Sequence, residues 1–244
     1  MKIVCIIPAR YQSSRFPGKP LADICGKPMI QRVYEQVKKV KELEDIYVAT
    51  DDERIEKVCK ENGMNVIMTR NDHQVHVCRL QEVSEKISAD YYVCVCGDEP
   101  LIDPETIRAI IPQPNDKKYY ARSLMRDFSD PAEVIDPANI KVTTTPDGDC
   151  IGLSRSPIPY PYKTVLFKYQ KVVGVECFTK EALDFFANTP KGTIEKIEDI
   201  ALLRYLEHGK LLNYKKVSTI ALSVDTPRDL EKVIHILKEQ GELK

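Results

Sequence analysis

The feature that most constrains the fold of this chain is an apolar run near its start that opens into a cationic loop. Ile3–Ile7 is a run of five consecutive apolar residues, which is typical of a strand buried on both faces of a parallel sheet. Arg10, Arg15 and Lys19 follow, interspersed with serines and Gly18. The loop after such a strand lies where open α/β sheets bind ligands, and its donors suit a polyphosphate. The sequence therefore predicts a triphosphate-binding loop.

Two well-known nucleotide-binding loops do not fit this stretch. A P-loop requires G-x-x-x-x-G-K-[ST], but Lys19 is preceded by the single Gly18 and followed by Pro20. A dinucleotide fingerprint requires glycines directly after the strand, and no glycine precedes Gly18. An NAD-dependent dehydrogenase is therefore disfavoured. Two readings stay open, a phosphate loop of another kind and a solvated basic connection between strand and helix.

Alternating strand and helix patterns in residues 1–112 predict a parallel sheet. Further strands are predicted at Ile46–Thr50, Val66–Met68 and Tyr91–Val95, with amphipathic helices between them. One helix follows the cap Asp51–Glu53 and ends at Gly63. This alternation favours an α/β fold with three layers and a mostly parallel central sheet.

Residues 113–244 have a different pattern, although no linker separates them from the first half. A turn at Pro146–Asp149 predicts a hairpin, and Thr226 before Pro227 predicts the start of the last helix. The other predicted elements are strands at Ile140–Thr145, Cys150–Ser154, Lys171–Phe178 and Leu211–Val217, helices at Lys180–Ala187 and Ile194–His208, and a rigid proline-rich rim at Pro157–Tyr162. We expect one domain over residues 1–244, with a CTP-binding half (1–112) and an acceptor-binding and dimerisation half (113–244).

Composition narrows the classes of partner. With 36 basic and 37 acidic residues among 244, the chain has no global field that would attract nucleic acid or an anionic membrane. No apolar run approaches the roughly 18 residues of a membrane span, and the start of the sequence lacks a signal-peptide pattern. Eight cysteines without a C-x-x-C pair are expected to be reduced thiols. We expect a cytoplasmic protein.

The cationic loop carries a resemblance to a known family. Pro8, Ala9 and Arg10, followed by Ser-Arg-Phe-Pro-Gly-Lys-Pro-Leu at residues 14–21, resemble the signature loop of sugar nucleotidyltransferases, and most closely that of the 3-deoxy-manno-octulosonate (Kdo) cytidylyltransferases. The resemblance implies the Rossmann-like nucleotide-diphospho-sugar transferase fold. It also implies that this loop binds the triphosphate of CTP, with Arg15 and Lys19 offsetting charge on the leaving pyrophosphate.

Two acidic motifs extend the resemblance. Gly97 and Asp98 follow a predicted buried strand, where a glycine lets the backbone come close to a phosphate-bound metal; an ordinary Gly-Asp turn is the alternative. Likeness to the family's Gly-Asp-Glu-Pro and Val-Asp-Thr-Pro motifs implies that Asp98, a catalytic residue, and Asp225 bind Mg²⁺. The implied reaction is attack by an acceptor oxygen on the α-phosphorus of CTP, which releases pyrophosphate without a covalent intermediate.

Further positions match family segments around the cytosine and the acceptor. The resemblance implies nucleotide contacts at Thr69, Arg70, Gln74, Cys96 and Gly97, and acceptor contacts at Lys141, Arg155, Glu176 and Glu198. A polar loop is the alternative for the segment from Thr69 to Gln74, where base selection is the favoured interpretation, and each acceptor position taken alone could be an ordinary surface residue. Close family members are homodimers, so a homodimer is expected as well.

The acceptor side departs from the family pattern. Cys96 stands at a usual Gln, Val172 at a usual His, Glu176 at a usual Tyr, residues 201–202 (Ala-Leu) at a usual Glu-Gln, and residues 75–78 (Val-His-Val-Cys) at a usual Ser-Gly-Thr-Glu. A site that loses several polar partners holds its original ligand poorly. The expected acceptor is therefore a modified ulosonic acid, or a smaller acidic or phosphorylated metabolite activated as a CMP or CDP conjugate, rather than Kdo.

Two alternatives stay open. A catalytically decayed nucleotide-binding protein would explain the acceptor-side changes, but it would have no reason to keep both metal carboxylates. His73, His76 and Cys78 form a short cluster of potential metal ligands without a distant fourth ligand, and a fortuitous grouping is the favoured interpretation.

Overall fold

An open sheet centred on the first strand organises the computed structural model, which describes residues 1–13, 15–113, 116, 119–164, 168–219 and 222–241. The strands are β1 (Ile3–Ala9), β2 (Asp23–Ile24), β3 (Lys27–Pro28), β4 (Asp45–Thr50), β5 (Val66–Met68), β6 (Tyr91–Val95), β7 (Ala121–Asp127), β8 (Lys141–Thr144), β9 (Cys150–Ser154), β10 (Gln170–Phe178) and β11 (Leu212–Lys216). The main sheet has the order β11-β7-β10-β6-β1-β4-β5, and β8 and β9 extend it from β10.

Strand directions confirm the predicted, mostly parallel sheet. β1 pairs in parallel with β4 and β6, and β5 and β11 pair in parallel with β4 and β7. β10 alone along this path runs antiparallel to its neighbours β6 and β7. The predicted hairpin is also present, because β8 and β9 pair in antiparallel fashion across the turn. Both halves of the sequence thus contribute strands to one sheet.

Helices cover both faces of this sheet. They are α1 (Met29–Val37), α2 (Glu53–Glu61), α3 (His76–Lys86), α4 (Pro104–Ile110), α5 (Lys180–Asn188), α6 (Thr193–Glu198), α7 (Leu203–Glu207) and α8 (Pro227–Glu239), with 3₁₀ turns at Lys19–Leu21 and Pro131–Val134. Alternate residues of β1 enter two different cores, one with α1, α2 and α4, the other with α3, α5 and α7, because successive strand side chains point to opposite faces. The predicted three-layer arrangement is confirmed.

Local signals set two of the helix starts as predicted. The Asp52 carboxylate accepts a hydrogen bond from the backbone N–H of Arg54 at 3.0 Å at the start of α2. Thr226 and Asp229 form a reciprocal capping box at the start of α8, with Pro227 in the first turn. The second cap matters for function, because it fixes the backbone just after Asp225.

The prediction of one helix over Ile194–His208 is wrong. The chain breaks into α6 and α7 at Asp199, whose φ of 50° is left-handed. Arg155 explains the break, since its Nε donates to the carbonyl of Glu198 at 2.6 Å and its Nη2 to that of Asp199 at 3.0 Å. The carbonyls of Glu198 and Asp199 therefore accept hydrogen bonds from the Arg155 side chain and not from backbone N–H groups of a continuing helix.

Among the helices of the described residues, none combines the length and the apolar character needed to cross a bilayer.

A buried ion pair joins the two short helices. Arg204 contacts both carboxylate oxygens of Glu195, at 2.6 and 2.8 Å, and donates to the carbonyls of Phe186 and Thr189. Both side chains are nearly inaccessible, at 6% and 2% exposed. Removing one partner would therefore leave the other as an unpaired buried charge.

We predict that Glu195→Ala lowers the free energy of unfolding by about 3–5 kcal/mol, measured by urea denaturation. The double variant Glu195→Leu/Arg204→Met should recover at least half of this loss, because no uncompensated charge stays buried. As a control, Glu56→Ala removes the partly exposed pair with Lys60 and should cost less than about 1 kcal/mol. Equal losses in Glu195→Ala and Glu56→Ala would contradict this view of the buried pair.

Candidate active site

A cavity of about 430 Å³ opens at the carboxyl ends of β1 and β6, where parallel sheets bind ligands. Its lining comes from four parts of the chain. These are the cationic loop (Pro8, Ala9, Arg10, Ser13, Arg15, Lys19 and Pro20), the acidic segments (Cys96, Gly97, Asp98 and Asp225), the entry to α3 (residues 73–76 and Arg79), and a mainly apolar wall (Ile140, Leu153, Val172, Glu176, Asp199, Ile200, Ala201, Leu202 and Tyr214).

The cationic loop is closed by its own backbone. The N–H of Gly18 donates to the carbonyl of Tyr11 at 2.8 Å, and Gly18 has a left-handed φ of 71°. A Cβ at this position would also lie 3.0 Å from the Tyr11 ring, so two constraints favour glycine. Arg10, Arg15 and Lys19 of this loop line the cavity. Ser14, which belongs to the sequence motif, lies outside the described residues.

Backbone contacts bring the two acidic motifs together. A Cβ on Gly97 would lie 2.9 Å from the carbonyl oxygen of Pro8, so only glycine allows the end of β6 to approach the end of β1 this closely. The N–H of Val224 donates to the carbonyl of Asp98 at 2.8 Å. Asp98 and Asp225 consequently sit side by side although they are distant in sequence.

The Lys19 ammonium lies between these two carboxylates. Its Nζ is 2.7 Å from Asp98 Oδ2 and 3.5 Å from Asp225 Oδ1, and Arg15 Nη2 is 2.9 Å from the same Asp225 oxygen. Oxygens of both acids therefore face one point that already holds a positive charge. Carboxylate oxygens around one such point are the donor set that Mg²⁺ prefers, so these residues fit a magnesium ion.

Glu99, beside Asp98, has a buried carboxyl group. Its Oε1 accepts a hydrogen bond from Ser223 Oγ at 2.7 Å, whereas Oε2 is buried and has no hydrogen-bond partner among the described residues. Burial, with a smaller contribution from Asp98, raises the pKa of Glu99 to about 7. The carboxyl group therefore binds a proton over a pH range in which an exposed glutamate is ionised.

The positions that depart from the family pattern meet in this cavity. Residues lining it include Val75, His76, Cys96, Val172, Glu176, Ala201 and Leu202. His76 Nε2 contacts Glu176 Oε2 at 2.7 Å across the wall. Burial alone would lower the pKa of His76, but the Glu176 carboxylate outweighs this and raises it. This part of the cavity is thus a mainly apolar wall that carries the hydrogen-bonded pair of His76 and Glu176.

Three of the four predicted acceptor contacts do not line the cavity. Lys141 is fully buried, and its ammonium donates to the carbonyls of Asp136, Asn139 and Arg155 at 2.6–2.8 Å. Glu198 accepts hydrogen bonds from Ser154 Oγ and the Arg155 backbone. None of Lys141, Arg155 and Glu198 lines the cavity. Because their polar groups are engaged by the protein itself, they hold the wall in place, and Glu176 is the member of the predicted set that faces the ligand space.

The predicted base-binding segment is also only partly at the cavity. Gln74 lines it, whereas Thr69 and Arg70 do not. Thr69 Oγ1 instead accepts a hydrogen bond from Arg79, which also contacts Asp51 at 3.0 Å. Arg70 is exposed and pairs with Asp72.

Sequence reasoning missed two residues of the site. Arg79, 4% exposed, lies among the apolar positions of a predicted helix, so no motif marks it. His76 belongs to the cluster with His73 and Cys78 that the sequence indicates to be fortuitous. His73 contacts Glu82 at 2.6 Å instead. The one signal available for His76 was its position at the start of a helix after a predicted strand, at the ligand-binding edge of the sheet.

Comparisons with known proteins agree with this geometry. A family model described as Cytidylyltransferase matches residues 4–217. The chain is 38% identical to 3-deoxy-manno-octulosonate cytidylyltransferase from Escherichia coli, covering 98% of this chain and 97% of that protein. It is also 38% identical to 8-amino-3,8-dideoxy-manno-octulosonate cytidylyltransferase from Shewanella frigidimarina, covering 95% and 97%.

A solved structure of CMP:2-keto-3-deoxy-manno-octonic acid synthetase complexed with CTP matches with a TM-score of 0.94 and 38% identity, over 98% of this chain and 100% of that one. The inositol-1-phosphate CTP transferase from T. maritima matches with a TM-score of 0.67 at 15% identity, a likeness that shows the fold alone. The predicted resemblance and fold are confirmed.

We predict a pH-dependent stability difference between the native chain and Glu99→Gln. A pKa raised from 4.5 to about 7 means that the native chain gains full stability from neutral Glu99 below pH about 4.5 and loses it as the pH rises to about 7. The free energy of unfolding of the native chain minus that of the variant should therefore fall by up to about 3 kcal/mol between pH 4.5 and pH 8. Urea denaturation without nucleotide measures this, and a difference that is constant with pH would contradict the assignment.

Proposed function

Since the chain belongs to the cytidylyltransferase family, we propose that it transfers CMP from CTP to an acidic sugar or related anionic acceptor and releases pyrophosphate. The observation that supports this most directly is the meeting of the cationic loop with Asp98 and Asp225 at one end of a single cavity. The CTP complex of a protein with the same fold and 38% identity supports the choice of nucleotide.

Asp98 and Asp225 are the residues that would hold Mg²⁺. When bound, the ion would neutralise phosphate charge and orient the triphosphate for in-line attack. The arrangement around Lys19 supports this proposal, because the protein places a cation between the same two carboxylates.

The cationic loop would bind and orient the triphosphate. Lys19 and Arg15 are engaged by the two carboxylates, so on nucleotide binding they would exchange carboxylate oxygens for phosphate oxygens. Arg10 is exposed at the cavity and adds a third positive charge. Since phosphoryl transfer depends on positioning and on neutralising charge, the protein needs no nucleophile of its own.

The nucleoside would lie along the ends of β1 and β6. Pro8, Ala9, Gln74, Cys96 and Gly97 line this part of the cavity and are the proposed contacts. The close approach at Gly97 leaves backbone groups there available to a ligand. Thr69 and Arg79 would act indirectly by fixing the loop that carries Gln74.

The acceptor would occupy the apolar end of the cavity, beside Glu176 and His76. Val172, Ala201 and Leu202 offer no hydrogen-bond partner to a hydroxyl-rich sugar, and unpaired polar groups are costly to bury. We therefore propose a modified ulosonic acid, or a smaller acidic or phosphorylated metabolite, in preference to Kdo. Glu176 suits an amine or a hydroxyl on that acceptor.

Location in the cytoplasm and a homodimeric assembly are also part of the proposal. Ile194 and Ile197, at 49% and 79% exposed, together with exposed Ile151 on β9, supply apolar surface in the second half of the chain. Such surface is available for a contact between two copies.

We predict that Asp98→Ala and Asp225→Ala each lower the rate of pyrophosphate release from CTP by roughly 100-fold or more, because each removes one of the two carboxylates proposed to hold Mg²⁺. Asp184→Ala, a change at a half-buried residue of α5 that does not line the cavity, serves as control. Full activity in both site variants would contradict the proposal that Asp98 and Asp225 hold Mg²⁺. Tight CTP binding with no turnover of any acceptor would instead favour the decayed nucleotide-binding protein.

We also predict that Kdo is a poor acceptor. A pyrophosphate-release screen of acidic sugars, amino-ulosonic acids, sugar phosphates and polyol phosphates should find a substrate whose kcat/KM exceeds that of Kdo at least about 10-fold, because each lost polar partner is worth about 1 kcal/mol or more. If Kdo proved the best acceptor in the screen, the inference from the apolar wall would be wrong.

A further inference from the structure

A second group of metal-ligating side chains lies in the wall of the cavity, separate from Asp98 and Asp225. Its origin is the antiparallel pairing of β6 with β10, in which Cys94 is the direct cross-strand partner of Glu176. Directly opposite residues place their Cβ atoms within about 5.5 Å of each other on the same face of the sheet. The thiol and the carboxylate therefore project together toward the layer that contains α3.

His76 completes a three-residue cluster from that layer. It is the first residue of α3, which packs on the sheet face that includes Cys94. His76 Nε2, Glu176 Oε2 and Cys94 Sγ all lie within 4.8 Å of one another. Imidazole, thiolate and carboxylate at such separations can converge on one ion with a small inward movement, since metal–ligand bonds of this type are about 2.0–2.3 Å long.

A fourth donor stands next to these three. Cys96 is two residues after Cys94, just past the end of β6. Its thiol lies outside the group of three mutually close ligand atoms, so a change of its side-chain torsion would have to bring it to the ion. The absence of a side chain at Gly174 makes room for the Cys96 thiol, because a Cβ at residue 174 would lie 3.2 Å from Cys96 Sγ. Cys96 also lines the cavity.

We propose that His76, Cys94, Cys96 and Glu176 bind a divalent transition-metal ion of the Zn²⁺ class. Two sulfur donors select against Mg²⁺, which requires oxygen ligands, and favour a tetrahedral borderline-soft ion. On binding, the thiols would release their protons to solvent and the contact between His76 and Glu176 would give way to coordination by both. The bound ion would join α3, β6 and β10 at the acceptor end of the cavity.

The cluster differs from the grouping that the sequence suggested. His73 is held by Glu82, and of residues 73–78 only His76 belongs to the set of mutually close ligand atoms. The distant ligands that residues 73–78 lack are supplied by two strands far away in the chain. This inference does not depend on the proposed transfer reaction, because it concerns metal binding and is read without substrate.

The test is a cobalt titration of the full chain after treatment with a chelator. We expect one Co²⁺ per chain, with visible bands of tetrahedral Co²⁺ and a near-ultraviolet thiolate-to-metal band, and displacement of both by one equivalent of Zn²⁺. The apparent Kd for Zn²⁺ should lie below about 1 μM. A large excess of Mg²⁺ should leave the spectrum unchanged, since Mg²⁺ avoids sulfur ligands.

Variants assign the ligands. Cys94→Ser/Cys96→Ser should abolish the thiolate band, and His76→Ala and Glu176→Gln should each weaken binding at least about 10-fold. His76 is half-buried at a helix start, so its variant tests the site without disturbing the core. Cys78→Ser and Asp184→Ala are the controls and should bind Co²⁺ as the native chain does. Absence of a thiolate band in the native chain, or its survival in the double cysteine variant, would overturn the proposal.

Discussion

The hydrogen bond from the N–H of Val224 to the carbonyl of Asp98, 2.8 Å long, is the contact on which the active-site arrangement depends. It ties the segment before α8 to the end of β6, and it places Asp225 beside Asp98. Gly97 makes this possible by letting the end of β6 pass within contact distance of the Pro8 carbonyl. Because the same carbonyl belongs to the start of the cationic loop, all three sequence motifs meet at one edge of the sheet.

Electrostatics explains why the basic and acidic motifs occur together. Two adjacent carboxylates repel each other unless a cation lies between them, and Lys19 and Arg15 fill this role. The same cations match the charge of a triphosphate, while the same acids match a divalent ion. In the proposed function, the site would exchange these ion pairs for contacts of the cations with phosphate and of the acids with the metal ion. The part of the cavity proposed for the acceptor has the opposite character, since its wall is mainly apolar and His76 and Glu176 hydrogen-bond to each other.

Local signals predicted most of the fold but only part of the site. The helix caps at Asp52 and Thr226 depend on a few neighbouring residues, so the sequence alone predicts them. The helix break at Asp199 was not predictable, because Arg155 draws off two carbonyls from a distant part of the chain. The burial of Lys141 is not visible in the sequence either. Its pattern indicates a cation available to a ligand, whereas three backbone carbonyls accept hydrogen bonds from its ammonium. Cross-strand partners such as Cys94 and Glu176 become neighbours only once the sheet order is known.

The most direct test of the central claim is a crystal structure of this chain with a non-hydrolysable CTP analogue and Mg²⁺. The account predicts a metal ion bound by both Asp98 and Asp225, with the Lys19 ammonium moved from the carboxylates onto a phosphate oxygen and the cytosine beside the ends of β1 and β6. A nucleotide bound outside this cavity, or a metal ion that contacts neither carboxylate, would contradict it.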